Sequence, residues 1–382
     1  MLSRKVKGIS PSVTLSIDAK AKQMRREGKD VVIFGAGEPD FNTPENIKQA
    51  AINSINNNFT RYTPVGGIPE LKKAVSDKFR RDNNISYEPS EILISCGGKH
   101  TLFNIAMSLL EKGDEAILPV PYWVSYEEMI KLSEAKPVFC NTDERFKLTA
   151  KNVEEKITDK TKLLILNSPC NPTGAVVEPD EIKKIAKLAV DNNFYVVSDE
   201  VYEAFNYNGK NPSIASLNEE IKKLTITVNA VSKTYAMTGW RIGYCGAPKE
   251  IISAMDALQS HSTSNPNNIA QMAALEALNG PQDSVMEMVK EFDKRRKFMH
   301  KRLNEIGLIC VEPEGAFYAF PSIGSTGMKS MEFSSKLLNE ALVAVVPGIA
   351  FGSDNHIRLS YAASMHEIER GLDRIEGWLR KR

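Results

Sequence analysis

Apolar residues recur along the chain at two spacings, and each predicts its own kind of element. Short, nearly continuous apolar runs cover 91–95, 162–166, 194–198, 224–228 and 241–245, the pattern of strands buried on both faces. Between them lie helical stripes. Ile182, Ile185, Ala186 and Ala189 share one face over 179–192, and Leu102, Ile105, Ala106 and Leu109 share one over about 101–110. The alternation predicts an α/β fold with a mostly parallel central sheet flanked by helices. The last hundred residues differ: a charged helix over 282–306 carries Val285, Met288, Val289 and Phe292 on one side, and short strands and helices follow. The first forty residues show no evident partner in the sheet pattern. A large domain over 46–281 is therefore expected, with a smaller α+β domain built from 1–45 and 282–382.

Composition narrows the classes of function. A chain of 382 residues exceeds what one hydrophobic core usually supports. A formal net charge of +1 argues against a broad nucleic-acid surface. No apolar run approaches the roughly 20 residues that span a bilayer, and the basic start lacks the apolar core of a secretory signal. The five cysteines are scattered and odd in number, which points to reduced thiols in a cytoplasmic protein. None forms a CxxC pair, and the histidines lack metal-ligand spacing, so no metal site is expected.

The segment Ser232-Lys233-Thr234-Tyr235-Ala236-Met237-Thr238-Gly239-Trp240-Arg241-Ile242-Gly243 joins two strand candidates. Lys233 would sit at the carboxyl edge of the sheet, where open α/β folds bind ligands; a lone lysine there is otherwise a solvated one. Asp199 ends the apolar run Phe194-Tyr195-Val196-Val197-Ser198. It reads either as a helix N-cap or as a carboxylate facing a cation, since unpaired buried charge is costly. Ser168-Pro169-Cys170-Asn171-Pro172-Thr173-Gly174 is a proline-rich turn in which the flanking prolines restrict Asn171. Gly97-Gly98-Lys99 precedes a predicted helix, whose first amides suit a phosphate. It is not a Walker loop, and Gly35-Ala36-Gly37-Glu38 is not a dinucleotide fingerprint.

Together these segments resemble the class I aminotransferases, enzymes of fold type I that use pyridoxal phosphate (PLP), and within them the bacterial aspartate aminotransferase branch. The resemblance runs from Pro11-Ser12 to Arg358-Leu359-Ser360-Tyr361. It includes Arg61-Tyr62-Thr63-Pro64, Pro121-Tyr122-Trp123-Val124-Ser125-Tyr126 and Pro347-Gly348-Ile349-Ala350-Phe351-Gly352. It implies that Lys233 forms the imine with PLP and then moves the proton. Asp199 pairs with the ring nitrogen, and Asn171 and Tyr202 bond the phenolic oxygen. Arg241 and the backbone at Gly97, Gly98 and Lys99 hold the phosphate. Tyr62 reaches it from the neighbouring subunit, so active sites lie at the interface of a homodimer. One departure is Ala230, where the family often has Ser or Gly.

The resemblance also assigns the substrate. Arg358 takes the α-carboxylate through paired hydrogen bonds, with Gly37 adding a backbone contact. Trp123 covers the cofactor ring, Lys99 takes the distal carboxylate, and Thr14 or Ser12 helps to close over it. Alone, Arg358 reads as a strand arginine on the surface, Trp123 as core and Lys99 as a solvated helix start. The implied reaction passes the amino group of L-aspartate to 2-oxoglutarate, giving oxaloacetate and L-glutamate. An aromatic or prephenate aminotransferase is the nearest alternative, although Ser10 stands where some prephenate-active relatives carry a lysine. A PLP-dependent carbon–sulfur lyase is more distant. A DNA-binding regulator with an aminotransferase-like domain is not expected, because the family pattern begins almost at once and the chain is nearly neutral.

Overall fold

The computed structural model describes residues 2–9 and 13–382. Its strands are β1 (Val32–Ile33), β2 (Ile92–Ser95), β3 (Glu115–Val120), β4 (Lys136–Asn141), β5 (Thr161–Asn167), β6 (Tyr195–Asp199), β7 (Thr225–Ala230), β8 (Gly243–Gly246), β9 (Tyr318–Ala319), β10 (Val343–Ala344), β11 (Val346–Pro347) and β12 (Ile357–Ser360). Seven of them form the central sheet in the order β2-β8-β7-β6-β5-β3-β4. β8 runs antiparallel to both neighbours, and the other pairings are parallel.

This order creates a switch point. From β3 the chain moves outward to β4, then returns past β3 to lay down β5, β6 and β7 on the other side. Connections that diverge in this way leave a crevice outside the carboxyl ends of the strands, between β3 and β5. The register aligns those ends, with Asn167 opposite Asp199 and Asp199 opposite Val228.

Strand periodicity divides the core around the sheet. Neighbours on β6 face opposite ways: Val197 packs with Leu102, Ile105 and Ile226, and Val196 with Ile182, Ile185 and Ala189. The helix Pro179–Asn192 supplies that second face as its apolar spacing predicts. Proline opens it, Asp180 and Glu181 occupy its first turn, and Asn193 ends it in the left-handed region. Full burial of Ile182 and Ile185 contributes about 1.5–3 kcal/mol each.

A second layer unites both ends of the chain. β1 pairs in parallel with β10, while β11, β12 and β9 form an antiparallel sheet. The helices Asp283–Glu305 and Met365–Leu379 cover it, and one core joins Val32 and Phe34 to Phe317, Val343 and Trp378. The first forty residues thus do supply a strand, but to this layer and not to the central sheet.

Several predicted boundaries move by a residue or two, and two of the shifts bear on the site. The helix expected from about 101 begins at Gly98. The strand expected from 241 begins at Gly243, because Arg241 adopts φ 58° after a short 3-10 turn, Thr238–Trp240. The five cysteines are free. Among the described residues no helix is long and apolar enough to cross a membrane, and no group of three or more His, Cys, Asp or Glu is placed to hold a metal ion.

Candidate active site

A cavity of about 440 Å³ opens at the switch point, lined by the residues that follow β3, β5, β6 and β7 and by the 35–38 segment. β7 ends at Ala230 and runs directly into the short helix Val231–Thr234, which turns Lys233 into the cavity. The Lys233 Nζ donates to the Gly37 carbonyl at 2.5 Å. Burial pulls its amine down to about 8; Glu38 opposes the shift, and Arg241, Arg358 and Lys99 add to it.

Asp199 closes β6 with 4% of its surface exposed. No helix follows directly. The chain turns instead, and the Val201 amide donates to one carboxylate oxygen at 3.2 Å while the Tyr126 hydroxyl donates to the other at 2.5 Å. The N-cap reading thus gives way to a turn cap that leaves Asp199 facing the cavity. Burial pushes its carboxyl up, against the two hydrogen bonds and the nearby Lys233. A cationic ring nitrogen would relieve that cost.

The loop after β5 is tied to the same strand ends. The Asn167 side chain accepts from the Asn171 amide at 3.0 Å and donates to the Asp199 carbonyl at 3.2 Å. The Asn171 Oδ1 in turn accepts from Arg358 Nη1 at 2.8 Å. That leaves the amide nitrogen of Asn171 as its donor for a ligand.

Arg358 lies on β12 with 3% exposure. Its Nη2 donates to the Gly35 carbonyl at 3.0 Å, and its Nε is buried with no partner among the described residues. Its guanidinium carbon lies 4.4 Å from the centre of the Tyr318 ring and 5.0 Å from that of Phe351. Burial lowers its affinity for the proton. Such a cation, bonded only to neutral oxygens, demands an anion. Tyr202 exchanges a hydroxyl hydrogen bond with Tyr318 at 2.8 Å, and burial pushes both phenols up.

Opposite, Gly97 has φ 94° and precedes the helix Gly98–Leu109. A Cβ there would fall 2.1 Å from Arg241 Nη2. The Arg241 guanidinium donates to the Thr238 and Cys96 carbonyls at 2.7 and 3.5 Å. A cation at a helix start whose first amides lack intrahelical partners suits a phosphate. Gly98 approaches Ala230 closely enough that a Cβ would meet the alanine methyl at 3.4 Å. Lys99 Nζ stands 4.9 Å over the Trp123 ring, and burial, with Arg241, pushes its amine down.

Most of the residues singled out in the sequence therefore meet in one place. Tyr62 does not: it is 92% exposed and lies outside the cavity lining. Ser12 lies outside the described residues, as does the Thr14 side chain, although Thr14 belongs to the helix Val13–Arg26. That helix brings Asp18 and Lys22 to the cavity, which the sequence reading did not foresee. It also passed over Asn167, Tyr126 and Tyr318. A signal for the two tyrosines was present. Each sits in a mostly apolar stretch of the sequence, where a buried hydroxyl needs a partner that phenylalanine would not.

The demands converge on one kind of group: an amine for a carbonyl, a buried acid for a cationic ring nitrogen, and a helix start with an arginine for a phosphate. The residues fit PLP, and the cavity defines a fold-type I PLP transferase. The chain belongs to the class I and II aminotransferases, PLP-dependent enzymes whose family model matches residues 29–375. An aspartate aminotransferase of Bacillus sp. (strain YM-2) is 49% identical, over 100% of this chain and 99% of the relative. A probable aspartate/prephenate aminotransferase of Rickettsia prowazekii (strain Madrid E) is 48% identical over 98% of each. The solved aspartate aminotransferase of Thermus thermophilus with maleate superposes with a TM-score of 0.96, at 42% identity over 99% of each chain.

Proposed function

We propose that this chain passes the amino group of L-aspartate to 2-oxoglutarate, releasing oxaloacetate and L-glutamate in two half-reactions at one site. The observation that carries the reading is Arg358, a buried guanidinium with an unpartnered Nε and no carboxylate among the described residues, in the same cavity as Lys233 and Asp199. When bound, PLP supplies an electron sink for the charge that develops at the substrate Cα.

The remaining work belongs to the protein. Lys233 holds the cofactor, and its amine, once released, moves the proton. Asp199 stays ionised beside the ring nitrogen, held by Tyr126 and Val201. Asn171 and Tyr202 donate to the phenolic oxygen. Gly97, Gly98, Lys99 and Arg241 cradle the phosphate, and Trp123 covers the ring. Arg358 orients the α-carboxylate beside Gly37, and Lys99 answers the distal carboxylate, with Ser12 and Thr14 closing over it. Two domains, 46–281 and 1–45 with 282–382, close on the substrate and exclude water. We assign the active form as a cytoplasmic homodimer in which Tyr62 serves the neighbouring site.

The test is a half-reaction screen of the purified PLP form, following loss of the bound cofactor's visible absorbance. Aspartate and glutamate are expected to discharge it faster than phenylalanine, tyrosine or alanine. Faster discharge by phenylalanine or tyrosine would overturn the aspartate reading. Prephenate is included as an acceptor in the return reaction, because the Rickettsia relative's name joins the two activities.

A further inference from the structure

We infer that Tyr318 is a positioning residue with two separable tasks: its ring sets the plane of Arg358, and its hydroxyl strengthens Tyr202 as a donor. The inference rests on the proposed roles of Arg358 and Tyr202 and adds a residue that those roles do not include.

Tyr318 begins β9 and pairs with Ser360 on β12, two residues beyond Arg358. It is 1% exposed, yet its side chain reaches the cavity lining. Its ring centre lies 4.4 Å from the guanidinium carbon of Arg358. Its hydroxyl is 2.8 Å from that of Tyr202, and a Cβ on Gly37 would stand 3.1 Å from it. One side chain thus touches the carboxylate site, the phenolic-oxygen site and the segment whose carbonyl receives Lys233.

Hydroxyl chemistry fixes the direction of the relay. A phenol has one proton to donate. If Tyr202 donates to the cofactor oxygen, it cannot also donate to Tyr318, so the Tyr318 hydroxyl becomes the donor of that pair. Hydrogen bonds in series polarise one another, so Tyr202 donates more strongly with Tyr318 behind it. Stronger donation to the ring oxygen lowers the basicity of the adjacent imine nitrogen. The ring acts independently of this. A guanidinium packed on a buried aromatic face gains attraction and loses rotational freedom.

Two substitutions separate the tasks. Tyr318→Phe keeps the ring and removes the hydroxyl. It is expected to raise the pH midpoint of the bound cofactor's visible absorbance by about 0.5 unit, with little change in the KM for aspartate. Tyr318→Leu removes the ring as well, and should raise that KM and the Kd for the unreactive dicarboxylate maleate about 10-fold. An unmoved midpoint in Tyr318→Phe, or a KM raised equally by both variants, would overturn the inference. The unsubstituted protein separates this outcome from failure of the functional reading: if it takes up no PLP or ignores aspartate, the reading itself has failed.

Discussion

Lys233 shows how burial, helped by nearby cations, prepares a residue. An exposed lysine titrates near ~10.4, whereas this amine is pulled down to about 8. The free amine is the form that attacks a carbonyl. On mixing cofactor-free protein with PLP, the rate of covalent attachment should rise about 10-fold per pH unit up to about 8 and then level off. The visible absorbance reports it. A rate still climbing at ~pH 10, where an ordinary lysine titrates, would mean that the amine is unperturbed. Sequence reading reached Lys233, Asp199 and Asn171 because each stands at the end of a predicted strand or in a constrained loop, and reached Arg358 only through the family resemblance. It missed Tyr126 and Tyr318, since their hydroxyl partners, Asp199 and Tyr202, lie far away in the chain. A pattern of apolar positions records that a ring is buried, not what its oxygen meets.

Among elements, the meeting of β8 with the helix Gly98–Leu109 frames the proposed phosphate site, and two glycines there carry different burdens. A Cβ on Gly97 would meet the movable end of Arg241, whereas one on Gly243 would fall 2.2 Å from the Gly98 backbone nitrogen. Gly97→Ala should therefore weaken PLP binding at least about 10-fold, with a stability loss of about 1–2 kcal/mol for the left-handed backbone. Gly243→Ala must move backbone, and should cost more stability than Gly97→Ala. Thermal melting of the cofactor-free proteins and PLP titration check both; equal losses in the two measurements would contradict the distinction. The helix Pro179–Asn192 was fully legible because its proline, acidic first turn and apolar stripe agree. The start of β8 was not, because Ile242 extends the strand-like run Gly243-Tyr244-Cys245 while the backbone at Arg241 turns left-handed. Side-chain type conveys little about such a turn at a non-glycine residue.

For the whole molecule, three exposed side chains bear on the proposed assembly. Ile52 and Ile55 on the helix Glu45–Asn56 are 45% and 52% exposed, and Tyr62 is 92% exposed. A second copy of the chain covering this region would account for all three. Sedimentation should give twice the mass of one chain. Tyr62→Phe should release PLP about 10-fold more readily without lowering the melting temperature of the cofactor-free protein. A monomer that retains PLP as firmly as the unsubstituted protein would refute the shared site. A partnership of this kind would leave little trace in a single sequence, and only the motif around Tyr62 points to it. The setting of Arg358 has a consequence for selectivity. Its bonds to Asn171 and Gly35 hold together parts of the chain far apart in sequence. A biogenic amine, which lacks an acid group beside its nitrogen, would enter the pocket and leave that guanidinium sealed from water and unanswered. If Arg358 takes the substrate carboxylate as proposed, decarboxylated look-alikes are turned away by what they fail to neutralise, before any difference in reactivity is felt.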